Sequence, residues 1–264
     1  MRQRLHDQIA AETMALLAPT LDQTIAAVTL MAAIAERIDD ILQSSTESLY
    51  QTYPDHIQQF RAVREKTRRD MQFILRGTTI SIIPGGEEVL AHALQKLTEA
   101  MFDRHFGGQF MWDAYEGLAR SVEAHIQHDA KHMLIDALHA TRDYIALMAD
   151  LAEKEEHILN ESMQALYDKY PDQMKGYRNA REATIHDQRV LLRSCALALL
   201  PAGVAQHQDM IEIMRTVTQS AQFDQSIMFD GYEFLQQSCM RHLQIGPISQ
   251  LTQMLDQSVR LFAA

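Results

Sequence analysis

Leu49-Tyr50-Gln51-Thr52-Tyr53-Pro54-Asp55 returns, 117 residues later, as Leu166-Tyr167-Asp168-Lys169-Tyr170-Pro171-Asp172. The same shift, without a gap, pairs Arg61, Arg64, Glu65, Thr67 and Asp70 with Arg178, Arg181, Glu182, Thr184 and Asp187. It pairs Leu75-Arg76 with Leu192-Arg193, Pro84 with Pro201, and Gly86 with Gly203. Farther on, Met111, Asp113, Tyr115, Glu116, Leu118 and His125 recur as Met228, Asp230, Tyr232, Glu233, Leu235 and His242. From Leu21 to Gln127, 33 of 107 positions are identical between the copies. Self-similarity of that length at one fixed offset marks a duplicated module.

The module reads as helical. Ten Gly and six Pro in 264 residues leave long stretches rich in Ala, Leu, Met, Gln and Glu, and no stretch alternates as a strand would. In the first copy, residues 3–17 predict an opening helix and 20–52 a helix or two, with Ile25, Val28, Ala32, Ile34, Ile38, Ile41 and Leu42 near helical spacing. Tyr53-Pro54 stops it, because the residue before proline is pushed out of the α region. A second helix over 58–83 ends at Pro84-Gly85-Gly86, a third spans Glu87 to Phe106, and after Gly107-Gly108 a fourth covers Phe110–Gln127. The chain is expected to be all-α, two tandem globin-like units over 1–130 and 131–264 packed as a pseudo-dimer. From Tyr115 to Tyr170 there is no proline and only Gly117, so little linker separates the copies. Residues 128–150 serve the end of one copy and the start of the next, and Ile248–Ala264 closes the second.

Composition excludes several classes. No apolar run approaches the roughly 18 residues of a membrane span, and Met1-Arg2-Gln3-Arg4-Leu5-His6-Asp7 has no apolar segment behind its charge. Two cysteines, Cys195 and Cys239, build neither a disulfide framework nor a Cys-x-x-Cys zinc site, so a reducing cytoplasm is the expected location. A net charge of −11 argues against nucleic acid as a partner. No nucleophile and base pair, metal-ligand spacing or phosphate-cradling loop stands out, and the chain is expected not to be an enzyme.

Thr67-Arg68-Arg69-Asp70-Met71-Gln72-Phe73-Ile74-Leu75-Arg76, running on to Gly86, resembles the chromophore-binding helix of the phycobiliproteins, light-harvesting globins that carry open-chain tetrapyrroles. Leu49-Tyr50 with Tyr53-Pro54 resembles that family's helix end before it. The likeness extends over about 20–125 and again over 137–242. One departure is chemical. Where the family has the cysteine that forms a thioether to the pigment, this chain has Thr67 and Thr184. A threonine hydroxyl has no thiolate form at neutral pH, so the resemblance implies a bilin, such as biliverdin or phycocyanobilin, held without a covalent bond.

The resemblance also implies roles. Asp70 would accept hydrogen bonds from the inner pyrrole N–H groups, Arg69 or Arg68 would meet a propionate, and Phe73 would pack against the rings. In the second copy, Asp187 would act with His186 as a pH-dependent substitute for arginine. Arg64 and Arg68 share a helical stripe with Arg61, which is read as a surface residue. Missing its attachment cysteines, the chain is similar to the non-antenna globins associated with bilin biosynthesis. Bilin metabolism, storage or transfer is then expected rather than light harvesting, with bilin-biosynthesis enzymes as partners and a homodimer left open. Bland readings stand beside these. The aspartates could pair with surface arginines, and fifteen methionines could be core filler. Trp112, Phe110, Tyr115, Phe229 and Tyr232 could flank a pigment or pack between helices. Two alternatives remain: a pigment-free interaction module, and a haem sensor using His92 or His105, since the repeated His125 and His242 suit helix C-termini better.

Overall fold

The helix ends follow from the chain's punctuation. The computed structural model describes residues 2–55, 63–104, 107–175, 180–200, 203–220 and 225–263. Among these there are ten helices and no strand: α1 Arg2–Thr52, α2 Val63–Ser81, α3 Glu87–Arg104, α4 Gly108–His125, α5 Lys131–Lys169, α6 Pro171–Lys175, α7 Ala180–Leu197, α8 Val204–Ser220, α9 Gln225–His242 and α10 Ile248–Ala263. The helices obey the repeat. The starts of α2, α3 and α4 lie 117 residues before those of α7, α8 and α9, and α1 and α5 end at equivalent residues. The all-α, tandem reading therefore holds.

By packing, the chain forms two compact units. One gathers Met1–Leu90 with Asp113–Thr141, and the other gathers Ala91–Trp112 with Arg142–Ala264. These divisions are drawn by contacts, whereas 1–130 and 131–264 are drawn by the sequence repeat.

In the first unit, α1 packs along α2. Ala27, Leu30, Ile34, Ile41, Leu42 and Leu49 of α1 are buried with Met71 and Leu75 of α2 and with Leu118 and Val122 of α4. Each large aliphatic removed from water contributes about 1.5–3 kcal/mol. In the second unit Ile158, Leu159 and Met163 of α5, Leu191 and Cys195 of α7, Leu235 and Cys239 of α9, and Leu251 and Leu255 of α10 are likewise buried.

Two joints recur in both copies. The Tyr53 hydroxyl donates to Asp113 Oδ2 at 2.5 Å, and Tyr170 makes the equivalent bond to Asp230. Burial first, then the Asp113 carboxylate, push Tyr53 up to about 12, which keeps it a protonated donor. At the other end of the second helix, a Cβ on Gly86 would sit 1.9 Å from the Ile80 carbonyl oxygen, and one on Gly203 would sit 2.1 Å from that of Leu197. Only glycine allows that close a return of the chain.

The structure departs from the expected helices at named places. α1 runs unbroken through Pro19, an exposed position, so 3–17 and 20–52 are one rod rather than separate helices. Its inward face is the 27, 30, 34, 41 stripe, and Ile25 and Val28, on the flank of that stripe, are each 53% exposed. Residues 126–130 separate α4 from α5. The expected start of the second helix at 58, its third-helix end at Phe106 and the stop at Pro201 lie outside the described residues.

Candidate functional site

α2 carries the motif that resembles the pigment-binding helix, and its two faces differ sharply. Met71, Ile74, Leu75 and Thr78 point inward at helical spacing, while Arg64, Arg68, Arg69, Asp70, Phe73 and Arg76 lie on the outward side. Beside that side runs an open groove of ≈ 430 Å³ lined by Asp39 and Leu42 of α1 and Glu65, Arg68, Arg69 and Gln72 of α2. Such a volume lies within the range of small-molecule sites, though the walls here are polar. Leu42, buried, is its apolar part.

The charges are matched in pairs. Arg68 Nη2 meets Asp39 Oδ1 at 2.5 Å, with both side chains well exposed, and Arg69 Nε donates to the Glu65 carbonyl oxygen at 3.4 Å. Exposed ion pairs contribute about 0–1 kcal/mol, so Arg68 can exchange Asp39 for another carboxylate at little cost. The Arg64 guanidinium lies 5.9 Å from the Tyr50 ring centroid. Thr67, half-buried, shares a 2.6 Å hydrogen bond with the Tyr50 hydroxyl. Phe73 is 55% exposed, one turn beyond Arg69.

Asp70 does not sit in an apolar slot. It is exposed and does not line the groove, because Met71 next to it takes the inward position of that turn. The arginines that the motif implied are thus brought together at the groove, and the aspartate, about a further 100° around α2 beyond Arg69, faces away from it.

The second copy fills the same register differently. Ile185, equivalent to Arg68, packs against the apolar cluster of Met163, Leu166, Met174 and Ile227. His186 and Asp187 are exposed and Thr184 is half-buried on α7. The protein beneath Asp187 desolvates its carboxyl and raises its pKa, with His186 opposing. Arg189, equivalent to Gln72, reaches back to α5, where its Nε meets Glu155 Oε2 at 3.2 Å and its Nη2 pairs with Glu156. Arg193 closes on Glu155 with two bonds of 2.6 Å and stacks 4.4 Å from the Phe102 centroid.

The other candidates separate cleanly. Tyr115 and Tyr232 are buried core residues, and Trp112 carries the Arg142 guanidinium 3.7 Å above its ring. Phe110 and Phe229 are half-buried. His92 is exposed on α3, His125 and His242 end α4 and α9, and His105 and Arg61 lie outside the described residues. Asp39, Leu42, Glu65 and Gln72 were missed by the sequence reading. Their signal is faint: polar residues at i, i+3 and i+7 on α2 facing an acidic position about 30 residues upstream.

The residue set fits a linear tetrapyrrole in kind, with exposed guanidinium groups for propionates, carboxylate acceptors for N–H groups, and threonine where a thioether would form. No curated protein and no solved structure matches the chain. A model of the phycobilisome protein family matches it twice, over residues 3–146 and 133–260. With each copy of the repeat matched in turn, the chain belongs to the phycobilisome protein family, as a tandem duplication of its helical unit.

Proposed function

We propose that the chain binds a linear tetrapyrrole without a covalent bond, at the groove between α1 and α2 of the first repeat, and holds or transfers it in bilin metabolism. A bound bilin supplies pyrrole N–H donors, two propionates and a conjugated system that absorbs visible light. Arg68 and Arg69 pair with the propionates, Arg68 by releasing Asp39. Asp70 accepts from the N–H groups of a bilin long enough to pass from the groove over Arg69, and Phe73, exposed one turn beyond Arg69, covers a ring edge. Charge-assisted bonds of this kind are shorter and stronger than neutral ones. The observation that carries the reading is the pair of adjacent arginines on an open groove in the one repeat that keeps Arg-Asp, in a chain whose family carries bilins. Thr67 and Thr184 at the attachment positions favour holding or delivery over a permanent antenna, and the same reasoning makes bilin-handling enzymes the natural partners. The chain acts here by binding, not by transforming its guest.

The test is a titration with biliverdin. Red-shifted absorbance is expected at one equivalent per chain, with all pigment released on acid denaturation. Asp70→Ala should abolish the red shift, and Arg68→Gln, which removes a guanidinium from the groove, should weaken binding at least tenfold. Unchanged spectra and affinity in both variants, with helicity intact, would overturn the assignment.

A further inference from the structure

In the second unit, away from the groove, His157 and Glu161 stand one turn apart on α5, and His242, the last residue of α9, faces them. One ligand atom from each of the three lies within 4.8 Å of the others. The His157 and His242 rings meet edge to face with centroids 4.4 Å apart. Glu161 is divided between partners. Its Oε1 takes Arg241, while Oε2 meets His242 Nε2 and accepts from Ser238 Oγ at 3.4 Å.

We propose that His157, Glu161 and His242 form a binding site for a divalent transition-metal ion of the zinc type, through two imidazole nitrogens and one carboxylate oxygen. Two histidines and one carboxylate are a donor set that such ions take, and three protein ligands leave a coordination position open. Bonds of about 2.0–2.1 Å to a tetrahedral ion set ligand atoms about 3.3 Å apart. The present spread closes to that by rotation of His157, which is exposed. Glu161 Oε2 and His242 Nε2 already face each other, and an ion entering between them replaces their hydrogen bond and parts the two atoms to that spacing. Arg241 stays on the other carboxylate oxygen and orients it, as outer partners of metal ligands do. It also adds a positive charge nearby, as does Lys154, whose Nζ bonds the His242 carbonyl at 2.9 Å, so the site binds without extreme tightness. The site belongs to the second repeat alone. The first repeat has Asp40, Ser44 and His125 at the equivalent positions, and Asp40 pairs with Arg37.

The His-x-x-x-Glu spacing on one helix does not stand out in the sequence as a metal site, because its third member lies 81 residues farther on, from Glu161 to His242. Equilibrium dialysis of the full chain against Zn2+ tests it. Wild type should hold one more ion per chain than His157→Ala, an exposed substitution that leaves the fold intact, and His242→Gln should lose at least tenfold in affinity. Replacing Zn2+ by Co2+ should give a visible d–d band in wild type and not in His157→Ala. If the three ligands serve only as an ion pair between α9 and α5, His242→Gln lowers Tm in metal-free buffer while zinc stoichiometry and the cobalt spectrum match in wild type and His157→Ala. That outcome overturns the proposal. Pigment binding at the first repeat is unaffected by either result.

Discussion

The outward side of α2 and the same side of α7 began as one sequence and now do opposite things. In the first repeat, Arg68, Arg69 and Gln72 border an open groove, and the position equivalent to Glu155 is Ile38. In the second, Ile185 joins the apolar cluster, Arg189 and Arg193 clasp Glu155, and the register is closed by its own side chains. Three substitutions, those that give Glu155, Ile185 and Arg189, convert an open groove into a place occupied by the protein. A side chain packed on its own core, or paired with a buried counter-ion such as Glu155, is unavailable to a ligand, whereas Arg68 on the exposed Asp39 is not held in this way. Retention of Asp70 and Asp187 in both copies therefore does not make the copies equivalent.

The comparison can be broken most severely at Glu155, whose side chain is 5% exposed between two arginines. Glu155→Ala leaves both guanidinium groups without their shared carboxylate. A fully buried pair broken this way costs about 3–5 kcal/mol. Both arginines retain solvent access, so a loss of about 2–3 kcal/mol is expected in urea unfolding. Ile38→Ala at the equivalent position should cost clearly less. Equal losses would mean that the ion cluster adds nothing to the second repeat.

A smaller effect tests what the copies still share. Tyr53→Phe and Tyr170→Phe each remove a hydroxyl that donates to a carboxylate, at Asp113 and Asp230. Bonds to charged groups are worth about 1.5–3 kcal/mol, and at these half-buried sites about 1–2 is expected for each. The two losses should agree closely in thermal unfolding; a change at only one would show that the joint survives in one copy alone.

The smallest effect sharpens the difference by pH. His207 stands where the first repeat has Leu90, and it is buried between Ser194 and Ser258, each 2.9 Å from a ring nitrogen. Ser258 donates to the Met254 carbonyl at 2.7 Å, so its oxygen accepts from His207 Nε2, and Nδ1 accepts from Ser194. That arrangement suits the neutral ring, and burial lowers its pKa. A lowered native value means stability is full above the ordinary histidine pKa of about 6.5 and is lost as pH falls from there through the native value. His207→Gln should flatten that part of the profile of Tm against pH. A profile identical to wild type removes His207 from the account.

The helix ends and the duplication were legible in the sequence because they rest on local causes. Pro54, Pro171, Gly86 and Gly203 stop or turn the chain whatever it later packs against, and identity at one offset needs no fold to be seen. The tandem all-α architecture follows from these. The motif on α2 was also legible, down to Arg68, Arg69 and Thr67. Which of its faces turns inward was not, since polar and apolar residues there allow more than one stripe. Only packing against α1 put Met71 inside and Asp70 outside and set Asp39 beside Arg68. Likewise Glu155 reads in sequence as one more acidic residue in Glu153-Lys154-Glu155-Glu156, and its burial between Arg189 and Arg193 depends on bringing together residues more than 30 positions apart. Backbone punctuation acts within a few residues, and a charge gains its meaning from whatever distant group the fold sets against it.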